Sequence, residues 1–277
     1  MKDQITSLKG ASRIYAVFGD PIAQVQTPQL INPIFAAAHT DIHAVPFHVT
    51  VEHFAATWDA FAAMANVAGI GVTVPHKVAA AARCATLTPA AKAVRVVNSI
   101  QRGADSRMHG ALFDGTGFVH GLGRVKARLR DAHVLMVGAG GAGRAIAFAL
   151  AEEGIARLDL IDLDPASVSF TAEMVNSVRG ENCAIATDGS GGWHYDVVIN
   201  ASPIGIKGSA RFPMPASALR SDMLVADIAS LAGDTQLLRD ARAVGASIAD
   251  GKDMLRAQIT LIAGFAAGLP PGTALEK

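Results

Sequence analysis

Short apolar runs alternate along the chain with longer stretches of helical periodicity. Arg13-Ile-Tyr-Ala-Val-Phe18 reads as a buried strand closed by Gly19-Asp-Pro21. Pro28 suits a first helical position, and the pattern predicts a helix to about His39. A strand from His43 to Val49 follows, then a helix from Val51 to Ala65 with Phe54, Trp58 and Phe61 on one face. Ala68 to Val74 predicts a third strand stopped by Pro75, and a short helix opens near His76 and Lys77. Arg95–Gln101 and Arg107–Leu112 flank Gly103-Ala-Asp105, which reads as a hairpin turn. Asp114-Gly-Thr-Gly117 precedes a helix expected to reach about Arg130. Strands are then predicted at 133–137, 157–161, 183–186, 196–200, 223–227 and 246–248. Helices are expected after Gly143, near 165–178, near 234–243, and from Lys252 to about Gly268.

One stretch organises this alternation. The apolar run His133–Val137 leads into Gly138-Ala-Gly-Gly-Ala-Gly143, a helix follows, and a second strand, Arg157–Ile161, ends at Asp162. Strand, glycine turn, helix, strand and terminal acid make the dinucleotide-binding βαβ unit. Gly138 permits the tight turn, Gly140 lets the backbone approach a pyrophosphate, and Gly143 allows close helix–strand packing. Gly141 and Ala142 complete the turn, and the N-terminus of the helix after it offers free N–H groups to phosphate. A carboxylate at Asp162 accepts from both ribose hydroxyls and repels a 2′-phosphate. NAD is therefore expected ahead of NADP, although Arg144 lies near enough to leave NADP open.

Composition narrows the function classes. The chain has 277 residues, 51% of them hydrophobic and 17% charged, enough apolar surface for a substantial core. Twenty-four basic side chains balance 24 acidic ones, so nucleic acid and charged membrane surfaces are not expected partners. Cys84 and Cys183 read as separate free thiols. The nine histidines form no cluster at metal-ligand spacing, and no metal is expected. No signal peptide or bilayer-length apolar run is visible, which predicts a cytoplasmic protein, monomer or homodimer, acting on a small molecule.

A dinucleotide that accepts hydride needs an alcohol to donate it and a group to take the alcohol's proton. Lys77, at a strand–proline–helix corner, and Asp114, at a loop-to-helix corner, are placed for that work.

The order of short motifs resembles the shikimate/quinate dehydrogenases over nearly the whole chain. Gly19-Asp-Pro-Ile-Ala23 with Thr27, Pro28 and Asn32 is similar to that family's N-terminal substrate loop. Gly69-Ile-Gly-Val-Thr-Val-Pro-His-Lys77 resembles the segment with its catalytic lysine, and Val97-Asn-Ser-Ile100 its Asn-Thr-Ile strand. Asp114-Gly-Thr-Gly117 matches the segment with its catalytic aspartate. Asn200-Ala-Ser-Pro-Ile-Gly205, containing Ser202 and Pro203, resembles the loop beside the nicotinamide. Gly251-Lys-Asp-Met-Leu-Arg-Ala-Gln258 resembles the C-terminal motif whose glutamine touches substrate.

The resemblance implies an α/β protein of two domains. An N-terminal substrate domain with a mostly parallel mixed sheet spans 1–115, completed by 252–277, and a doubly wound Rossmann domain spans 116–251. It implies reversible NAD(P)-linked oxidation of a ring hydroxyl of shikimate or a related cyclic polyol acid. Lys77 and Asp114 would be catalytic, with Thr73, Asn98 and Gln258 orienting hydroxyls. A quinate or aminoshikimate-type dehydrogenase is the nearest alternative, and a non-catalytic dinucleotide-binding regulator is the alternative from another class.

Departures from the family gather at the acid-binding end. Val25 and Thr27 stand where the family has carboxylate-holding serines, and Ser230 stands where it has a tyrosine. Gly71 replaces an asparagine, and Leu112-Phe113 replace Asn-Thr. Removing a donor to a buried carboxylate costs about 1–3 kcal/mol, so the carboxylate end of the expected substrate is predicted to differ.

Overall fold

The structure, a computed structural model, describes residues 8–180, 182–206 and 211–275. The chain divides into two compact units, Met1–Leu112 with Ile259–Lys277, and Phe113–Gln258.

The first unit holds β1 (Arg13–Gly19), α1 (Thr27–Ala37), β2 (Ile42–His48), α2 (Phe54–Ala63), β3 (Val67–Val72), α3 (Lys77–Ala81), β4 (Thr86–Leu87), α4 (Pro89–Val94), β5 (Ser99–Arg102) and β6 (Met108–Ala111). Its sheet runs β2-β1-β3-β5-β6-β4. β2, β1 and β3 are parallel, with β1 and β3 as the continuous apolar runs expected of buried parallel strands, while β5 pairs antiparallel with β3 and β6 with β5. Tyr15, Phe18, Ile31, Phe35, Ile70 and Ile100 form the buried centre. Each such side chain contributes about 1.5–3 kcal/mol by leaving water. Arg102 closes the open end of α2: its guanidinium donates to the carbonyls of Phe61, Ala62, Met64 and Val67.

The second unit opens with α5 (Asp114–Gly121) and a 3₁₀ turn, Gly123–Leu129. It continues with β7 (His133–Val137), α6 (Gly141–Glu152), β8 (Arg157–Ile161), α7 (Pro165–Arg179), β9 (Ala184–Ala186), β10 (Val197–Asn200), β11 (Leu224–Asp227), α8 (Gln236–Ala243), β12 (Ser247–Asp250) and the start of α9 (Gly251–Ala266), whose residues from Ile259 on belong to the first unit. All described pairings are parallel, in the order β12-β11-β10-β7-β8-β9. This is a doubly wound sheet with its topological switch between β7 and β10, the place where such sheets bind ligands.

Some elements differ from the pattern. The helix expected from Asp114 to Arg130 breaks at Gly123, whose φ of +54° no α-helix accepts, and finishes as a 3₁₀ turn. β4 and α4 were not predicted: β4 has only two residues, too few to show alternation. The first unit ends at Leu112 rather than 115, because the helix opened by Asp114 packs on α6. A Cβ on Gly115 would stand 2.0 Å from the Ala145 carbonyl oxygen, so only glycine admits that contact.

Candidate active site

Two glycines of the turn are held by close backbone contacts and two face open space. Gly138 has φ +106°, and a side chain there would meet the Ala201 backbone at 2.6 Å. On Gly143 a Cβ would lie 2.1 Å from the Gly138 carbonyl oxygen. Gly140 and Gly141 are the opposite case: they are exposed, and nothing lies within 4 Å of a Cβ built on either. Gly140 caps α6, twelve residues long, so the first N–H groups of that helix, from Gly141 and Ala142 on, face open space. A cradle that is rigid behind and clear in front fits a dinucleotide pyrophosphate.

Asp162 follows β8 and is half-buried. One carboxylate oxygen accepts from the Ala139 N–H at 2.6 Å and the other from the Asp164 N–H at 2.9 Å. The acid predicted to read the ribose therefore also ties the glycine turn to the end of β8, and keeps a lone pair on each oxygen for a ligand. Arg144 is committed elsewhere. It donates to the Ala139 carbonyl at 3.0 Å and to Ser167 Oγ at 2.9 Å, and its guanidinium lies 4.7 Å from the Phe170 ring centroid. Ser167 in turn donates to Asp164, whose carboxyl that bond and the nearby Arg144 help hold below its ordinary value.

Across the switch point, the loop after β10 is built on a buried polar network. Asn200 donates to the Ile204 carbonyl (2.7 Å) and to Asp227 Oδ1 (3.1 Å), and accepts from the Ser202 N–H and hydroxyl. Pro203 is exposed at the loop tip. Asp227 accepts further from the Ala229 N–H and from Thr235 Oγ1, and burial raises its carboxyl above the usual range. A cavity of about 670 Å³ borders the loop, with Asn200, Gly205, Asp227 and Thr235 in its wall. Ser230, expected among the substrate contacts, has another job. It is buried, donates to the Asp227 carbonyl at 2.6 Å, and accepts from the Gly251 N–H at 2.8 Å. Its only donor is spent on the backbone, which corrects that expectation. Gly251 is likewise buried at the start of α9.

In the first unit the strand pairing gathers three predicted residues. β5 runs antiparallel to β3 with Gly71 opposite Ser99, so Asn98 lies beside the end of β3, and its carbonyl accepts from the Val72 N–H. Thr73 follows at once, bonded through its N–H to the Phe18 carbonyl. Lys77 opens α3, half-buried, and its carbonyl accepts from the Val97 N–H. Thr73, Lys77 and Asn98 thus share one end of the sheet. Val25, on the segment between β1 and α1, and Thr27, which opens α1, are both half-buried. Val25 lines an open groove with Ile22, Pro28, Asn32 and Pro46. The glycine at 71 has a local reason: a Cβ there would touch the Tyr15 ring at 3.1 Å and its hydroxyl at 3.0 Å. Tyr15, fully buried and bonded to Ser99, fills the space that a longer residue at 71 would need.

In the second unit Asp114 and Gln258, 144 positions apart, meet directly: the buried glutamine amide donates to the buried carboxylate. Gly117 makes the approach possible, because a Cβ there would stand 2.6 Å from that of Gln258. His76, a possible cleft residue by its position next to Lys77, is structural. It is buried, bonded to the Val49 carbonyl at 2.6 Å, and stacked on Phe54 at 4.7 Å.

Sequence reasoning missed Asp227 and Thr235. Asp227 closes an apolar strand just as Asp162 does, a signal that was visible; Thr235 carries only that of a helix cap, which it is for α8. Among the described residues no group of three or more His, Cys, Asp or Glu could hold a metal, and no helix is long and apolar enough to cross a membrane.

A family model described as the shikimate dehydrogenase substrate binding domain matches residues 17–100. A shikimate dehydrogenase (NADP(+)) of Bacillus mycoides (strain KBAB4) is 32% identical over 249 residues, 87% of this chain and 88% of that protein. The crystal structure of a ligand-free 5-ketofructose reductase of Gluconobacter sp. strain CHM43 superposes with a TM-score of 0.84 at 27% identity, covering 95% of this chain and 96% of the other. Quinate dehydrogenase from Corynebacterium glutamicum, in complex with NAD, gives a TM-score of 0.85 at 25% identity, covering 94% and 95%.

Proposed function

Since the chain belongs to the shikimate and quinate dehydrogenase family, and is on that ground an NAD(P)-dependent oxidoreductase, we propose that it oxidises a ring hydroxyl of shikimate or a related cyclic polyol acid, reversibly. One observation carries this reading: Asp114 and Gln258, which the family resemblance separately assigns to the reaction centre, are buried and hydrogen-bonded to one another. A regulator that only sensed a dinucleotide would have no use for a buried acid held in that way, nor for the lysine at 77.

A bound nicotinamide dinucleotide supplies the hydride acceptor; the chain's own residues manage the alcohol. Lys77 Nζ takes the hydroxyl proton as the carbon is oxidised and returns it in the reverse direction, with the Asp114 carboxylate as its partner. Gln258 donates to Asp114 and so fixes which way that carboxylate faces. Thr73 and Asn98 orient neighbouring hydroxyls. The glycine turn and the N-terminus of α6 hold the pyrophosphate, and Asp162 takes the adenosine ribose.

The proposal extends to coenzyme choice. Two carboxylates, Asp162 and Asp164, would flank the ribose, and the guanidinium of Arg144 is engaged by Ala139, Ser167 and Phe170. A 2′-phosphate would meet negative charge without a free guanidinium to offset it, which favours NAD over NADP.

A second reading concerns the substrate's other end. Val25 offers no hydroxyl to a carboxylate, and one structural relative is a reductase of 5-ketofructose, a substrate named without an acid. On that reading the substrate is a neutral polyhydroxy ketone, handled by the same Lys77 and Asp114. Steady-state kinetics of the purified protein with shikimate, quinate and neutral ketoses, each with both coenzymes, separates the two. Turnover of shikimate or quinate with NAD supports the first reading. Efficient reduction of a neutral ketose with no turnover of either acid refutes it.

A further inference from the structure

We propose that Asp227 is a positioning residue for the nicotinamide half of the coenzyme, acting through Asn200 and the loop 200–205; this rests on the dinucleotide reading above. In a doubly wound sheet the pyrophosphate sits at the first glycine turn, and the two nucleotide halves diverge to either side of the switch point. Asp162, just past the end of β8, marks the adenosine side. The other half therefore extends over β10 and β11, and the loop after β10 abuts the turn itself: a Cβ on Gly138 would touch the Ala201 backbone at 2.6 Å.

That loop has little regular structure to hold it. Its conformation rests on Asn200, whose amide ties the Ile204 carbonyl and whose oxygen takes the Ser202 N–H and hydroxyl; Ser202 Oγ accepts in turn from the Ile204 N–H at 3.2 Å. The three of those bonds that Asn200 makes require its side chain in a single orientation. Asp227 sets it: Oδ1 accepts the Asn200 amide, while the Ala229 N–H and the Thr235 hydroxyl hold the carboxylate still. Strand pairing puts the two side by side, Asn200 opposite Asp227. Thr235 supports the far end, since its methyl would lie 2.9 Å from a Cβ on Gly205. Through its own carbonyl and Ser230, Asp227 is also linked to the Gly251 N–H at the start of α9. A carboxylate that is 1% exposed and takes three donors is costly to bury, and its geometry serves this loop.

The test compares NADH with ADP-ribose, which lacks the nicotinamide, by equilibrium titration of Asp227→Ala, Asp227→Asn and Thr235→Val. Asp227→Ala is expected to weaken NADH about tenfold or more, the loss of a hydrogen bond to a charged group, and to leave ADP-ribose within about twofold. Asp227→Asn keeps an acceptor for Asn200 and should return NADH affinity to within about threefold of the native value. In the coenzyme-free protein, amide hydrogen exchange over 200–206 should quicken in Asp227→Ala and not in Asp227→Asn. If Asp227→Ala fails to fold, Thr235→Val decides on the same terms, with a loss of about threefold or more for NADH alone. Equal weakening of NADH and ADP-ribose, or unchanged NADH affinity, overturns the proposal. Native protein that binds neither ligand refutes the dinucleotide reading itself, whereas native protein that binds both but turns over no cyclic polyol acid refutes only the substrate.

Discussion

Two alanine substitutions three residues apart in the glycine turn separate fold from function. In Gly143→Ala the new methyl would stand 2.1 Å from the Gly138 carbonyl oxygen and 2.9 Å from its carbon. Both are backbone atoms, so either α6 or the turn has to move by about 1 Å to reach van der Waals contact. Overpacking of that kind costs about 1–3 kcal/mol and displaces the N–H groups that face the pyrophosphate. Gly140→Ala meets nothing within 4 Å, and φ of −71° suits any residue. The helix cap loses a little by the change and the unfolded chain loses entropy, so stability should shift by less than about 1 kcal/mol. Its methyl nevertheless points into the space where phosphate is expected, so NADH affinity should fall about tenfold or more. Thermal unfolding of the coenzyme-free proteins reads the first difference, with the melting temperature of Gly143→Ala lower by roughly 2–8 °C. Fluorescence titration with NADH reads the second. Native NADH affinity in Gly140→Ala, or native stability in Gly143→Ala, would refute the assignment of the turn.

Asp162→Ser should raise the ratio of NADP to NAD efficiency by about tenfold or more by removing the like charge, and should weaken NAD as well, because the Ala139 N–H loses its acceptor; an unchanged ratio contradicts the coenzyme assignment. Burial pushes the Cys84 thiol up to about 12 from an ordinary 9.0, so at about pH 8 its thiolate is roughly a thousandfold scarcer. Native protein should resist iodoacetamide at Cys84 accordingly, and alkylation there at the rate of an unfolded peptide is the contrary result. Burial also raises the carboxyl of Asp227, so its folded form holds the proton more tightly than the unfolded chain does. Its contribution to stability is therefore present at low pH and lost as pH rises through the folded value. In urea unfolding, Asp227→Asn should gain on the native protein as pH rises from about 4 to 7; a difference independent of pH would count against it.

Much of this molecule was legible because parallel strands buried on both faces are continuous apolar runs. β1, β3, β7 and β8 fall within two residues of their expected ends. Gly138 and Gly143 are also crowded by backbone, as a tight turn and close helix–strand packing require. What stayed hidden depends on residues distant in the chain. Gly117 gives no sign in sequence that it exists to admit Gln258, and Tyr15 does not advertise that it occupies the space at Gly71. Asn200 and Asp227 are 27 positions apart and meet only because β10 and β11 are neighbours in register. Ser230 showed the opposite failure. Its residue type suggested a shortened ligand contact, whereas the fold uses its hydroxyl to join Asp227 to Gly251. Short elements were lost for lack of period, as with β4, and Gly123 ended a helix that the hydrophobic pattern alone would have continued.

The chemistry turns on Lys77, and one paired measurement reaches it directly: kcat with the best cyclic polyol acid, and the NADH dissociation constant, in Lys77→Ala. Loss of proton transfer should lower kcat by about 10²–10⁴-fold while NADH affinity stays within about twofold. Turnover near the native rate in that variant would contradict the proposed chemistry.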